Sequence, residues 1–508
     1  MQRQSTLTAL LAAGADDAVA LHAPGGSPFT YRAFRAQAAQ TVATLNALGI
    51  GRGDRVAIVL PNGPEMAAAF VGIAAGCASC PLNPAYRADE FEFYLSDLKA
   101  KALVVERGSS SPAVEVAKKL GVRLIELVPG TSGSGSFTLA ATDGAASTPA
   151  ANGGAAQADD VALILHTSGT TSRPKIVPLS QANVCASAYN IRETLTLTAA
   201  DRALNIMPLF HIHGLIAGTL APLAAGSTIF CSPGFNALKF FAWMAECKPT
   251  WYTAVPTMHQ TILARGAQNK EIIAANPLRF LRSSSSSIPP QVIAELEALF
   301  NAPLIESYGM TEASHQMASN PLPPAVRKPG TVGKAAGPEV AIMDDSGTLL
   351  PAGATGEIVI RGPNVTRGYE NNPKANAEAF THGWFRTGDQ GTMDAEGYLS
   401  ITGRLKEIIN RGGEKISPRE VDEVLMDHPA VAQVVTFAIP HDKLGEDVGA
   451  VVVLKEGQAA TERELRDFIG TKLADYKVPR KILFMDEIPK GATGKLQRIG
   501  LAAKLGLA

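Results

Sequence analysis

Val161-Ala-Leu-Ile-Leu-His-Thr-Ser-Gly-Thr-Thr-Ser-Arg-Pro-Lys-Ile-Val-Pro-Leu179 joins an apolar run to a turn of hydroxyls and glycine, and closes on two cations. Val161 to Leu165 reads as a buried strand. It leads into Thr167, Ser168, Gly169, Thr170 and Thr171, with Arg173 and Lys175 directly after. Flexible backbone donors and hydroxyls beside positive charge suit the grip of a polyphosphate. The spacing is not Gly-x-x-x-x-Gly-Lys-Ser/Thr, which excludes the P-loop NTPase arrangement.

Outward from this strand the chain alternates helix-length and strand-length segments. Arg32 to Leu48, Asp54 to Leu60, Glu65 to Gly76 and Ala102 to Glu106 precede it, and Thr228–Phe230, Thr250–Tyr252 and Pro303–Glu306 follow. Alternation of this kind predicts an α/β fold of parallel sheets with crossover helices. Residues 129–158, rich in Gly, Ser, Ala and Thr, read as a surface loop. From about residue 330 short strands with Gly/Pro punctuation (Val340–Met343, Gly356–Ile360, Gly397–Ile401) predict a β-rich subdomain. The last hundred residues or so carry two amphipathic helices, Pro418–Asp427 and Glu462–Leu473, and strands at Val431–Ala438 and Gly449–Leu454. They predict a small α+β domain. The expected division is 1–404 for a large domain and 405–508 for a small, mobile one.

At 508 residues the chain exceeds one ordinary core. Its 46 basic and 47 acidic residues leave a net charge of −1, with no basic excess for nucleic acid and no polybasic tract for membranes. Residues 66–86 and 203–238 lack Asp, Glu, Lys and Arg, but Pro, Gly, Asn and Ser interrupt both. They read as buried helix and strand rather than as membrane spans. The N-terminus shows no signal-peptide pattern and the C-terminus no peroxisomal tripeptide. Five cysteines, only Cys77 and Cys80 close together and with no histidine nearby, read as small buried residues. The expectation is a reduced cytoplasmic protein, monomeric or a small homo-oligomer.

Three further stretches carry chemistry. In Glu306-Ser-Tyr-Gly-Met-Thr-Glu312, Tyr308-Gly309 offers a flat face and close backbone approach for a nucleotide base, Thr311 a hydroxyl for phosphate, and Glu312 a hard oxygen ligand for Mg²⁺. Trp384-Phe-Arg-Thr-Gly-Asp389 ends a glycine turn on a carboxylate able to accept from both ribose hydroxyls. Pro489-Lys-Gly-Ala-Thr-Gly-Lys495 places a lysine on a glycine-bounded turn. In this order, and with the 166–179 loop, these stretches resemble the adenylate-forming family: acyl-CoA synthetases, luciferases and the adenylation domains of peptide synthetases.

The resemblance covers nearly the whole chain and implies two steps. A carboxylate attacks the α-phosphate of ATP, releasing pyrophosphate. A thiol, preferably of free coenzyme A, then attacks the acyl carbon of the adenylate. ATP, Mg²⁺ and coenzyme A are the implied cofactors. The resemblance assigns Thr167, Ser168, Gly169, Thr170, Thr171, Lys175, Ser285, Glu306, Ser307, Tyr308 and Gly309 to the nucleotide, with Asp389 and Arg404 on the ribose. It implies Lys495, Thr311, Glu312 and His211 as catalytic, Glu312 as the metal ligand, Lys406 as a hinge, and Gly412-Gly413 beside the pantetheine. The lysine's charge is what this chemistry needs, because the attacking carboxylate meets a phosphate and the pentacovalent state gains negative charge.

For the acid, His211, Ser287 and His315 are the candidate contacts, with His213 either a contact or a packed core histidine. Histidines and a run of five serines, Ser283 to Ser287, suit a small, doubly charged acid. A fatty or aromatic acid would leave them unpaired at roughly 1–3 kcal/mol each. Thr167–Lys175, Met310–Pro323 and Asn410–Pro418 resemble the oxalate–CoA ligase branch known from plants and yeast. Malonate or another short acid, a carrier-protein or amine acceptor, and a non-catalytic nucleotide-binding protein are the rival readings. Two positions depart from the broad pattern: Ser172, as in that branch, and Ile176, where glycine is usual. A β-branched residue disfavours positive φ, so the backbone at Ile176 is either extended or stiffened, with weaker ATP affinity one consequence.

Overall fold

A computed structural model describes residues 3–143, 148–167, 174–489 and 497–507. The chain divides into two compact units. The first runs to Val340 and includes Ile360–Phe385. The second holds Ala341–Val359 and Arg386–Ala508.

Two large sheets build the first unit. One has seven strands in the order Phe137–Ala141, Arg123–Pro129, Ala102–Glu106, Arg55–Val59, Ala78–Pro81, β1 (Val161–Thr167) and β2 (Lys175–Ser180). Its interior pairs are parallel and its two outermost pairs antiparallel. The helix Pro64–Ala74 explains the uncharged 66–86 stretch. Proline opens it at a position where the missing N–H costs nothing, and its buried residues are apolar or small. Residues 129–158 correct the loop expectation. Phe137–Ala141 is an edge strand antiparallel to Arg123–Pro129, and Phe137, Ser134 and Ser136 are buried. An edge strand has one neighbour and one anchoring side chain here, so its apolar signal is too weak to stand out from the surrounding Gly and Ser.

The other sheet has nine strands, in the order Lys334–Ala335, β6 (His315–Ser319), β5 (Leu304–Met310), β4 (Phe280–Ser283), β3 (Trp251–Ala254), Arg202–Asn205, Thr228–Cys231, Val19–His22 and Phe29–Thr30. β3, β4 and β5 are parallel neighbours, and β5 turns back into β6. Between Arg202–Asn205 and Thr228–Cys231 the chain forms a π-helix, His213–Leu220, buried along its whole length. The wide turn is a common accommodation at functional sites. Phe230, Phe240, Tyr252, Leu281 and Leu304 belong to the core under this sheet.

In the second unit, β7 (Trp384–Met393, whose first two residues belong to the first unit) pairs antiparallel with β8 (Leu399–Arg404). The C-terminal part packs helices Pro418–Met426 and Glu462–Gly470 on a sheet of Ile409–Arg411, Glu414–Ile416, Val431–His441, Gly445–Leu454 and Lys481–Phe484. Val421, Leu425, Leu465 and Ile469 supply the buried helix faces. Thr461 accepts from the Glu464 N–H while the Glu464 side chain accepts from Thr461, a capping box that fixes where the second helix begins. All five cysteines are free and buried; burial pushes the Cys77 and Cys80 thiols up to about 12, which leaves them unreactive. No helix among the described residues is long and apolar enough to cross a membrane.

Candidate active site

The strands β3 and β4, the start of β6 and the start of the π-helix converge on one buried guanidinium. Arg282 lies in β4 between neighbours that are all buried, and its own side chain has no solvent exposure. Its Nη1 donates to His213 Nε2 at 3.3 Å and Thr253 Oγ1 at 3.2 Å, and its Nη2 to His315 Nε2 at 3.2 Å and Gln316 Oε1 at 3.3 Å. A guanidinium only donates, so both Nε2 atoms accept and each neutral ring carries its proton on Nδ1. His213 Nδ1 lies 3.0 Å from Ser285 Oγ. The two rings stack with centroids 4.8 Å apart and planes 22° from parallel.

Among the described residues no carboxylate pairs with Arg282, and its Nε is buried without a hydrogen-bond partner. Burial pushes its pKa down to about 9, the signature of a cation taken out of water with no counter-charge. The effective penalty for such burial is several kcal/mol.

Backbone geometry fixes this arrangement. His315 has φ +95° and Ser285 φ +75°, both in the region that non-glycine residues rarely adopt. Gly309 faces the His315 carbonyl so closely that a Cβ would lie 1.9 Å from its oxygen. Only glycine lets β5 pass the histidine there.

Beside this cluster, Glu312 follows Thr311 in a single 3₁₀ turn, and its carboxylate is buried. Tyr369 Oη donates to Glu312 Oε1 at 2.8 Å, and the Thr366 N–H donates to the Glu312 carbonyl at 2.7 Å. Among the described residues no three His, Cys, Asp or Glu side chains assemble a metal cage. A lone buried carboxylate fits Mg²⁺ that arrives with a nucleotide and keeps phosphate and water as its other ligands.

Thr167 ends β1 opposite Lys175 at the start of β2. Ile176 is extended within β2, opposite His166, and packs into the apolar core of the seven-stranded sheet. The glycine usual at this position is therefore not needed for its φ. Ser168, Gly169, Thr170, Thr171, Ser172, Arg173 and Lys495 lie outside the described residues.

The other predicted contacts fall in various places. Ser307 Oγ donates to the Ser283 carbonyl at 3.3 Å, tying β5 to β4, and Tyr308 is nearly buried. The Glu306 carboxylate accepts from the Gly330 N–H at 3.2–3.3 Å and sits 3.4 Å from Asn320 Nδ2, so its partners include two internal groups. His211 precedes the π-helix and its carbonyl accepts from the Leu215 N–H. Ser287 is exposed past the serine turn, whereas Ser285 reaches His213. Arg282, Thr253 and Gln316 were not among the predicted contacts. The available signal was a charged residue inside the apolar strand Phe280–Ser283, directly before the serine run.

In the second unit the ladder of β7 and β8 puts Asp389 opposite Arg404, with Arg404 Nε 3.0 Å from Asp389 Oδ1. Thr387 Oγ1 accepts from the Asp389 N–H at 3.1 Å, and Glu357 from the Gly388 N–H at 2.8 Å. These contacts fix the backbone on which the carboxylate stands. Lys406 is exposed in the helical turn after β8, where the Glu407 and Ile408 N–H groups both donate to the Arg404 carbonyl. Gly412 and Gly413, at φ +59° and +102°, form the two-residue turn between Ile409–Arg411 and Glu414–Ile416. Two successive positive φ values make glycine the natural choice at both.

The AMP-binding enzyme family profile matches residues 10–370, and that of the AMP-binding enzyme C-terminal domain matches residues 420–495. Over 454 residues the chain is 46% identical to the oxalate–CoA ligase of Arabidopsis thaliana, covering 89% of this chain and 88% of that one. Over 473 residues it is 44% identical to the oxalate–CoA ligase of Saccharomyces cerevisiae, covering 88% and 86%. The crystal structure of ATP-bound MatB from Rhodopseudomonas palustris superposes with a TM-score of 0.88 at 31% identity over 98% of each chain.

Proposed function

Because this chain belongs to the AMP-binding enzyme family, we propose that it is an AMP-forming ligase joining oxalate to coenzyme A through an acyl-adenylate. ATP, Mg²⁺ and coenzyme A are its co-substrates. The observation that carries the choice of acid is Arg282, a fully buried guanidinium whose polar partners are two stacked imidazoles, a threonine and an amide, with no carboxylate. A monocarboxylic acid spends its single charge at the phosphate and leaves this cation uncompensated. The second carboxylate of oxalate offsets it through the imidazoles, which accept from Arg282 at Nε2 and donate at Nδ1. The names of the Arabidopsis and yeast relatives support the same acid.

In the first step one oxalate oxygen bonds to the α-phosphorus of ATP, the bond from that phosphorus to the bridging oxygen breaks, and pyrophosphate leaves. Lys175 and Thr167, with the loop between them, hold phosphate, and Lys495 neutralises the charge that builds on the α-phosphate. Tyr308 and Gly309 bound the adenine, and Asp389 and Arg404 take the ribose. Glu312 and Thr311 hold Mg²⁺ and phosphate, and the ion, when bound, shields the triphosphate from the incoming carboxylate. In the second step the coenzyme A sulfur bonds to the acyl carbon, AMP leaves, and the thiol proton passes to solvent.

Residues 1–404 bind ATP and acid, and 405–508 form a mobile lid hinged at Lys406. The protein is cytoplasmic, a monomer or small homo-oligomer, and its five unpaired cysteines are consistent with a reducing compartment. The test is AMP release with and without coenzyme A across oxalate, malonate, acetate and hexanoate. Coenzyme A-dependent release led by oxalate is expected. Release led by hexanoate or acetate overturns the choice of acid, and release indifferent to coenzyme A overturns the acceptor.

A further inference from the structure

Tyr369 belongs to none of the four motif stretches, yet it stands between two of the groups on which the proposed chemistry depends. Its hydroxyl donates to Glu312 Oε1 at 2.8 Å, and its ring lies under the Lys175 ammonium, with Nζ 4.3 Å from the centroid. Among the described residues Lys175 makes no ion pair. The neighbouring chain is held firmly. The Glu370 N–H donates to the Ile176 carbonyl at 3.1 Å, and the Glu370 carboxylate accepts from Arg55 at 2.6 and 2.7 Å, while Arg55 also donates to the Leu98 carbonyl at 3.1 Å. On its other side the Tyr369 N–H donates to Asn376 Oδ1 at 2.7 Å, and Asn376 Nδ2 returns a bond to the Tyr369 carbonyl at 2.8 Å. The ring is thus fixed to β2 and to a local turn before any ligand arrives.

We propose that Tyr369 is a positioning residue for the adenylation step, an insulated link that aims the Glu312 carboxylate at Mg²⁺ and keeps the Lys175 ammonium available for phosphate. The inference rests on the reading of Glu312 and Lys175 as metal- and phosphate-binding groups. An ammonium and a buried carboxylate this close attract each other, and a direct pair would quench both. The phenol satisfies each separately. Its hydroxyl gives the carboxylate a charge-assisted hydrogen bond, and its face gives the ammonium a cation–π contact, while Lys175 draws electron density from the ring and strengthens the hydroxyl as a donor. The carboxylate keeps one orientation without losing its charge, and the lysine keeps its place at the foot of the phosphate loop without acquiring a counter-ion.

Calorimetric titration of the full chain with ATP, in EDTA and then at increasing Mg²⁺, separates the two functions, with melting temperature as the control for folding. Tyr369→Phe keeps the ring and removes the hydroxyl. It should leave ATP affinity in EDTA unchanged, weaken the Mg²⁺-dependent gain about tenfold, the scale of one hydrogen bond to a charged group, and melt within a few degrees of the parent. Tyr369→Leu should also weaken ATP in EDTA, because Lys175 loses its platform. Glu312→Gln should abolish the Mg²⁺ gain, and adding Tyr369→Phe to it should cost nothing more. A Tyr369→Phe protein with the full Mg²⁺ gain, beside a Glu312→Gln protein that has lost it, overturns the role of Tyr369. A Tyr369→Leu protein that binds ATP in EDTA like the parent overturns the link to Lys175. A full Mg²⁺ gain in Glu312→Gln refutes instead the reading of Glu312 on which the inference rests.

Discussion

Replacing Arg282 with Met removes a buried charge while keeping most of the side-chain volume, and the structure sets the size of the effect. The guanidinium lies 3.2–3.3 Å from the Nε2 atoms of His315 and His213. Crossing an imidazole and adding one hydrogen bond places a bound carboxylate about 8 Å from the cation. At an effective dielectric of about 20, a unit charge at that distance is worth about 2 kcal/mol. The imidazole donors weaken as well when their Nε2 atoms lose the cation, so the loss in kcat/KM for oxalate should be about 30- to 150-fold. Acetate, whose one carboxylate goes to the phosphate, should lose less than about threefold. Removing an uncompensated buried charge relieves a penalty, while Thr253, Gln316 and the two histidines each lose a partner. The two effects oppose, and the melting temperature should stay within a few degrees. The assay is steady-state AMP release with each acid at saturating ATP and coenzyme A, beside a thermal melt. Equal losses for oxalate and acetate at an unchanged melting temperature would mean that the cation does not sense the second carboxylate.

The pH profile follows from the same group. Burial pushes the Arg282 pKa down to about 9 in the unliganded protein, so its charge is present below that pH and lost above it. The KM for oxalate should therefore rise above pH 9, approaching tenfold per unit, with the KM for ATP nearly flat; parallel rises in both exclude Arg282 as the cause. Asp389→Asn keeps the shape of the side chain but removes the charge facing Arg404, and should raise the KM for ATP about tenfold while that for oxalate stays level. Lys406→Pro should spare ATP–pyrophosphate exchange and block thioester formation, and equal loss in both half-reactions removes the hinge role. Lys495→Ala should lose roughly 10²–10³ in adenylation while still binding ATP, which calorimetry beside exchange kinetics checks.

The parts of this protein that were legible in the sequence are those with strong local signals. Ala102–Glu106 and Val161–Thr167 are apolar runs bounded by polar turns, and Pro418–Met426 is amphipathic with proline at its start. Asp389 and Arg404 could be named because each sits in a distinctive short motif, although only the antiparallel register of β7 and β8 makes them neighbours. The Arg282 cluster resisted for the opposite reason. Its partners His213, Thr253, His315 and Gln316 come from the π-helix, β3 and β6, between 29 and 69 residues away along the chain. No local pattern announces a contact made by sheet order. Tyr369 was missed likewise, since its meaning depends on Glu312, 57 residues before it, and on Lys175, at the start of β2. Phe137–Ala141 was hidden by composition, a short edge strand within Gly- and Ser-rich chain.

Thioester formation by this AMP-binding enzyme and its selection of oxalate by charge can be read in one reaction. The most direct measurement incubates the protein with ATP, Mg²⁺, coenzyme A and an equimolar mixture of oxalate, malonate, acetate and hexanoate, and resolves the products by mass spectrometry. Oxalyl-CoA is the expected dominant product, with AMP and pyrophosphate formed in equal amount. Dominance of acetyl-CoA or hexanoyl-CoA contradicts selection by the buried arginine, and acyl-adenylate accumulating without any thioester contradicts coenzyme A as the acceptor.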